Sequence, residues 1–262
     1  ALDSLGIVPD LIIGTSMGSV VGGLYAMGYS GDSIANIANN ANWDYLLVGD
    51  IPLNEVSVEE KSEFKKYLIE LDLVNWSPKL NTSLLRDQNL REFLTLLTFP
   101  VYDIDNFDDF SIPFRAMTTD IVNGKEVILD KGSLSLAMRA SMSIPSIFQP
   151  VAYKNTLLVD GGVLNNFPTD VAKAMGADII IGSEVGSGML PKDKLDNMSS
   201  ILFQASMLSS NLKIKKNKEI CDILIDHAPY IDYSTSDFNK SKEIFKEGAI
   251  GTNNKLPALV EL

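Results

Sequence analysis

The chain has 262 residues, 45% of them apolar, with 34 acidic and 22 basic side chains and a formal charge of −12. That length and apolar content suit one large domain with a sizeable core. The acidic balance argues against a nucleic-acid partner, because phosphate binding needs concentrated Lys and Arg. One cysteine, Cys221, excludes an intrachain disulfide, and with a single histidine no Cys/His cluster can build a structural zinc site. No apolar run approaches the roughly 18 residues of a membrane span.

In chain order, residues 1–5 read as the end of a helix closed by Gly6, and residues 8–13 as a short buried strand. The strand breaks into Gly14-Thr15-Ser16-Met17-Gly18, a Gly-x-Ser-x-Gly turn. A small-residue helix follows over 16–27, with Gly28 where a helix-ending glycine belongs. Gly14 and Gly18 are expected to give room for a tight turn in which side chains would collide. Two readings stand here. Ser16 is either a nucleophile on a strand–turn–helix elbow or simply the cap of that helix. A further helix starts near Ser30–Ser33 and runs toward Ala41. Residues 54–110 are the least regular stretch, with a helical stripe over 83–98, and residues 43–110 form a candidate insertion or cap.

The αβ rhythm returns at residue 112. Strands over 113–120 and 126–129 flank an Asn123-Gly124 turn, and a second hairpin closes at Lys154-Asn155. Helices are expected at 134–141, 168–175 and, as one long element, 198–218. Strands are expected at 177–181 and 223–225. The pattern predicts an α/β fold with a central, mostly parallel sheet and helices on both faces. The cluster Leu212-Lys-Ile-Lys-Lys-Asn-Lys218 reads as a solvated helix face. Trp43 and Trp76 read as packed or half-packed rather than membrane-facing, and the methionines as core filler.

The strand at 157–159 ends at Asp160-Gly161-Gly162, a second tight turn with a polar side chain. A serine nucleophile needs a base. The sole histidine, His227, lies in Asp226-His227-Ala228-Pro229, expected to be a surface loop, and counting alone does not remove it from a triad.

Three blocks decide between these partners: Gly14–Gly18, the segment Arg139-Ala-Ser-Met-Ser-Ile-Pro-Ser146, and Asp160-Gly161-Gly162 with Asn166-Phe167-Pro168. In this order they resemble the patatin-like phospholipase family, with a bacterial flavour, over roughly residues 1–185. The resemblance implies a three-layer αβα sandwich in a single domain and a serine acyl hydrolase acting on lipid or phospholipid esters. It makes Ser16 the nucleophile and Asp160 the proton acceptor, leaves His227 no catalytic role, and implies neither metal nor cofactor. Arg139 is expected to pair structurally with a carboxylate. An acyltransferase using the same pair, or a catalytically silent binding module, are the alternatives. Transient contact with a membrane surface fits such a substrate.

The family also places a glycine-rich loop with a basic residue ahead of its first helix, and nothing in residues 1–10 matches it. The expectation is therefore of an N-terminally incomplete domain whose oxyanion hole is mostly absent, with the Met17 N–H as one remaining donor. The compartment implied is bacterial cytoplasm or, for a passenger of an outer-membrane barrel, the periplasm or cell surface.

Overall fold

The computed structural model describes residues 1–48, 72–74, 77–79, 87–186, 188–233, 237 and 240–262. Residues 59–71, where the sequence leaves a strand and turn or a short helix open, and Trp76 lie outside these residues. The elements in chain order are α1 (Leu2–Leu5), β1 (Ile12–Thr15), α2 (Met17–Ala26), α3 (Gly31–Asn40), β2 (Asp72–Val74), β3 (Ser77–Lys79) and α4 (Gln88–Thr98). There follow β4 (Phe114–Asp120), β5 (Lys125–Leu129), α5 (Leu134–Ser141), β6 (Val151–Tyr153), β7 (Thr156–Asp160), α6 (Thr169–Ala174) and β8 (Ile181–Glu184). The chain closes with α7 (Met198–Ser206), α8 (Leu208–Glu219), β9 (Ile223–Asp226), α9 (Ser241–Asn253) and α10 (Leu256–Val260).

The fold is three-layer α/β, but its sheet is mixed rather than mostly parallel. Among the described residues only β1–β4 and β8–β9 pair in parallel, whereas β2–β3, β4–β5, β4–β7 and β6–β7 are antiparallel. The reason lies in the two tight hairpins. Gly124 takes φ 65° and Lys154 φ 51°, so each turn reverses the chain locally instead of crossing over through a helix. Two further expectations shift. The apolar run at 177–181 becomes a loop, and the strand begins only at Ile181. The long helix breaks at Met207 into α7 and α8.

The organising strand is β4. Met117 pairs with Thr15 of β1 on one side and Ile128 of β5 on the other, and Thr118 pairs with Asp160 of β7 and Val127 of β5. Since a strand has two edges, β1 and β7 share the one that β5 leaves free. They run head to head along it, and their C-terminal ends face consecutive residues of β4. This register brings Ser16 and Asp160, 144 positions apart in sequence, to one place.

The core around β4 is apolar and closely packed: Leu24, Leu90, Leu94, Phe107, Phe114, Met138 and Leu158 are all essentially buried. Helix α2 lies close on the sheet because two of its residues have no side chain. A Cβ at Gly22 would meet Ile12 Cγ2 at 2.8 Å, and one at Gly23 would meet Met138 Cε at 2.5 Å. Of the expected insertion, α4 is the best-defined part, and it buries Leu90 and Leu94 in this same core. Trp43 packs half-buried against the core and donates its indole N–H to the Ala38 carbonyl at 2.9 Å.

Candidate active site

Ser16 stands between β1 and α2 with φ 53° and ψ −126°, one of three non-glycine residues with positive φ among those described. An L-residue held there costs about 1–3 kcal/mol, and such strain persists only where the surroundings over-determine it. Here they do. The Ser16 N–H donates to Ser141 Oγ at 2.9 Å, and that hydroxyl donates in turn to the Met117 carbonyl at 2.6 Å. The buried Ser141 thus ties the turn to the middle of β4. The Ser16 side chain makes no capping hydrogen bond to α2, so the cap reading of this serine fails.

The two motif glycines have unequal duties. A Cβ on Gly14 would collide with the backbone of Gly18 and Ser19. A Cβ on Gly18 would meet nothing within 4 Å. The collision expected at Gly18 is therefore absent, because the first turn of α2 opens away from the neighbouring elements. Thr15 fastens the end of β1 to the second motif by donating to the Asn165 carbonyl at 3.0 Å.

Asp160 ends β7 and is 2% exposed. Its Oδ1 accepts the Gly162 N–H at 2.7 Å, and Oδ2 has no hydrogen-bond partner at ordinary distance. Burial raises its pKa to about 6, against the pull of the nearby Ser16 hydroxyl and the Gly162 N–H, which favour the carboxylate. Gly161 is required beside it, since a Cβ there would strike the Met117 carbonyl. Gly162 is hemmed in by Asn166 Oδ1, Asp160 Oδ1 and the Met207 methyl, each about 3 Å from where its Cβ would stand (2.8, 2.9 and 2.9 Å).

The Asp160 N–H donates to the Ser143 carbonyl at 2.9 Å, which docks the block 139–146 against the site. Arg139, in that block, is 1% exposed and pairs with Asp87 through both Nε (2.7 Å) and Nη2. Its Nη1 donates to Ser143, and its guanidinium lies 5.0 Å from the Phe148 ring centroid. The expected structural ion pair is present.

The sequence reading missed the polar floor under the second turn. Asn165 Nδ2 donates to Asp170 Oδ1 (2.9 Å), and Asn217 Nδ2 donates to the Phe167 carbonyl (2.6 Å) and Asn165 Oδ1 (3.2 Å). Lys213 bridges Glu126 and Asp170 at 2.7 and 2.8 Å. The Asn165-Asn166 pair after the glycines was the available signal, since buried amides in a loop must find partners.

His227 is not on a surface loop. It is 8% exposed, packed where β9 gives way to the segment under α9. Its Nδ1 donates to the Gly248 carbonyl (2.9 Å), which leaves Nε2 to accept from Ser183 (3.2 Å). Neither Ser16 nor Asp160 is among its partners. The described residues hold no group of three or more His, Cys, Asp or Glu side chains able to bind a metal ion.

The profile of the family described as patatin-like phospholipase matches residues 1–173. The chain belongs to the patatin-like phospholipase family. That family match covers both the Ser16 turn and the Asp160 turn. Among similar proteins, Lysophospholipase NTE1 of Meyerozyma guilliermondii is 26% identical over 95% of this chain and 17% of its own length. Patatin-like phospholipase domain-containing protein 7 of Rattus norvegicus is 27% identical over 95% of this chain and 18% of its own. The Mus musculus protein of the same description is 31% identical over 54% of this chain. This patatin-like chain thus spans about a sixth of the length of the first two relatives. All three are eukaryotic and lend no support to the bacterial affinity expected from the motifs.

Proposed function

We propose that this chain is a carboxylic ester hydrolase for phospholipid or lysophospholipid esters and works through a Ser16–Asp160 dyad. The observation that carries the reading is the pairing of a strained, backbone-anchored serine with a buried carboxyl. The carboxyl's free oxygen and raised pKa suit a proton acceptor. The names of the similar proteins supply the substrate class.

Asp160 takes the Ser16 hydroxyl proton while Oγ attacks the ester carbonyl carbon. The tetrahedral intermediate collapses as the alcohol or lysolipid oxygen leaves with that proton, and an acyl-Ser16 remains. Asp160 then accepts a proton from water as the water oxygen attacks the acyl carbon. Ser16 leaves, is reprotonated by Asp160, and the free fatty acid departs. Amides in the first turn of α2, Met17 N–H among them, face the developing oxyanion with the positive end of the helix dipole.

The base must be ionised to work. With its pKa at about 6, kcat/KM for a soluble ester such as p-nitrophenyl butyrate should rise with pH through about 6 and level off above it. Asp160→Asn should abolish that limb together with the activity. A flat profile from pH 5 to 8 would remove Asp160 from the mechanism.

A further inference from the structure

The face of the α7–α8 pair carries apolar side chains that nothing among the described residues covers. On α7, Met198 is 71% exposed, Ile201 48% and Leu202 45%. At helical spacing these three form one stripe. On α8, Leu208 (49%) and Leu212 (85%) form another, directly opposite the buried Ser210 and Asn217. Neighbouring exposed apolar side chains rimmed by polar ones mark an interaction surface.

The charge of this region is opposite to that of the rest of the chain. Residues 189–218 contain six lysines and two aspartates, a net charge of +4 within a chain of net −12. Everything outside the segment therefore sums to −16. Lys213 and Lys218 are held in ion pairs with Glu126, Asp170 and Asp226. Lys192, Lys194, Lys215 and Lys216 are exposed and make no ion pair with a described residue. Lys215 and Lys216 continue the stripe of Leu208 and Leu212 one and two turns on, with Glu219 at its far end. Lys192 and Lys194 lie just ahead of α7, beside Asp193 and Asp196. The loop before them is clamped to α7, since the Leu190 N–H donates to Gln204 Oε1 at 2.6 Å.

The opposite face of the pair adjoins the site. The Met207 methyl, at the break between α7 and α8, lies against Gly162, and Ser210 Oγ accepts the Asn166 N–H at 3.2 Å. We infer that the α7–α8 face docks the enzyme on an anionic lipid bilayer, with its apolar stripes entering the headgroup boundary and its lysines meeting lipid phosphates. This rests on the reading of the chain as a lipid hydrolase and adds how it reaches an aggregated substrate. Exposed leucine and isoleucine side chains with lysines beside them suit contact with a lipid headgroup boundary. The remaining surface, strongly negative, is repelled by such a membrane, so the attraction also sets the orientation.

The test separates docking from chemistry by using the full chain with Ser16→Ala in vesicle co-sedimentation, with hydrolysis followed separately on a soluble ester. Vesicles contain phosphatidylcholine alone or with 30 mol% phosphatidylglycerol. The protein should sediment with the anionic vesicles, weakly with the zwitterionic ones, and less in added salt. Each lysine near an anionic surface contributes about fivefold to binding, so Lys215→Glu/Lys216→Glu should weaken it by at least roughly 30-fold. Ile201→Ser/Leu202→Ser should also weaken it. The charge-matched Lys242→Glu/Lys255→Glu, on exposed positions elsewhere, should weaken it far less. Equal binding by the Lys215/Lys216 variant and the control would overturn the proposal, as would equal binding to both vesicle types or none to either. Failure of soluble-ester hydrolysis with vesicle binding intact would count against the hydrolase reading alone.

Discussion

Ser16→Ala should lower turnover of p-nitrophenyl butyrate by on the order of 10⁴-fold or more, with the folded structure intact. The size follows from the absence of a substitute. Asp160 Oδ2 has no hydrogen-bond partner at ordinary distance, so no other hydroxyl is poised on it, and Ser141 Oγ is committed to the Met117 carbonyl and the Ser16 N–H. Alanine keeps the backbone bond to Ser141, because that bond uses the Ser16 amide and not its side chain. The thermal midpoint should therefore hold while the rate collapses. Combining the change with Asp160→Asn should cost almost nothing further, as expected for two groups acting in one proton transfer. A Ser16→Ala protein with more than a tenth of the original rate would refute the assignment of the nucleophile.

The second large effect is on stability. Arg139→Met should destabilise the protein by about 3–5 kcal/mol, the usual penalty for stripping one partner from a buried ion pair. Arg139 is, with Asp120, the most completely buried ionisable side chain among the described residues, and the largely buried Asp87 would keep only the exposed Arg91, 3.8 Å away, as a partner. The loss falls beside the active site, because Ser143 receives an Arg139 N–H and gives its carbonyl to the Asp160 N–H. Such a penalty is a large part of the 5–15 kcal/mol that holds a typical domain together. Urea denaturation should show it as a fall in the midpoint. In the double variant Asp87→Leu/Arg139→Met, at least half the loss should return, since a buried pair replaced whole by apolar groups is close to neutral. A single variant costing under about 1 kcal/mol, or a double variant worse than the single, would show that the pair does not bear this weight.

What the sequence disclosed was local. Gly14-Thr15-Ser16-Met17-Gly18 and Asp160-Gly161-Gly162 are turns whose residue types report their own backbone, so both were visible at once. The hairpin at Gly124 was visible for the same reason. The strand order was not. That β1 and β7 share one edge of β4 depends on long-range pairing, which no periodicity encodes, and the antiparallel hairpins displaced the expected parallel sheet. Single-position physics failed in two further places. Gly18 was read as crowded from the motif, though its crowding depends on neighbours that turn away. His227 was read as exposed from the polar residues around it, while Gly251 makes room for the ring beneath α9 and Gly248 offers it a carbonyl. The Asn165–Asn217 floor joins residues 52 positions apart and lay beyond any local pattern.

The burial of the Asp160 carboxyl has a consequence for the folded chain as a thermodynamic object. Its pKa stands at about 6 when folded and near 3.8 when unfolded. Below about pH 3 both states hold the proton and nothing is lost. As pH rises from about 3 to about 6 the unfolded chain releases it first, and the folded state loses ground that it does not regain above pH 6. Two pKa units correspond to about 3 kcal/mol at neutral pH. Asp160→Asn, whose amide oxygen can still accept the Gly162 N–H, should therefore raise the urea midpoint at pH 7.5 and change it far less at about pH 3. Equal midpoints for both proteins at pH 7.5 would contradict this. Robustness and reactivity would then be set against each other at one atom, and selection for a hardier protein would begin by disarming it.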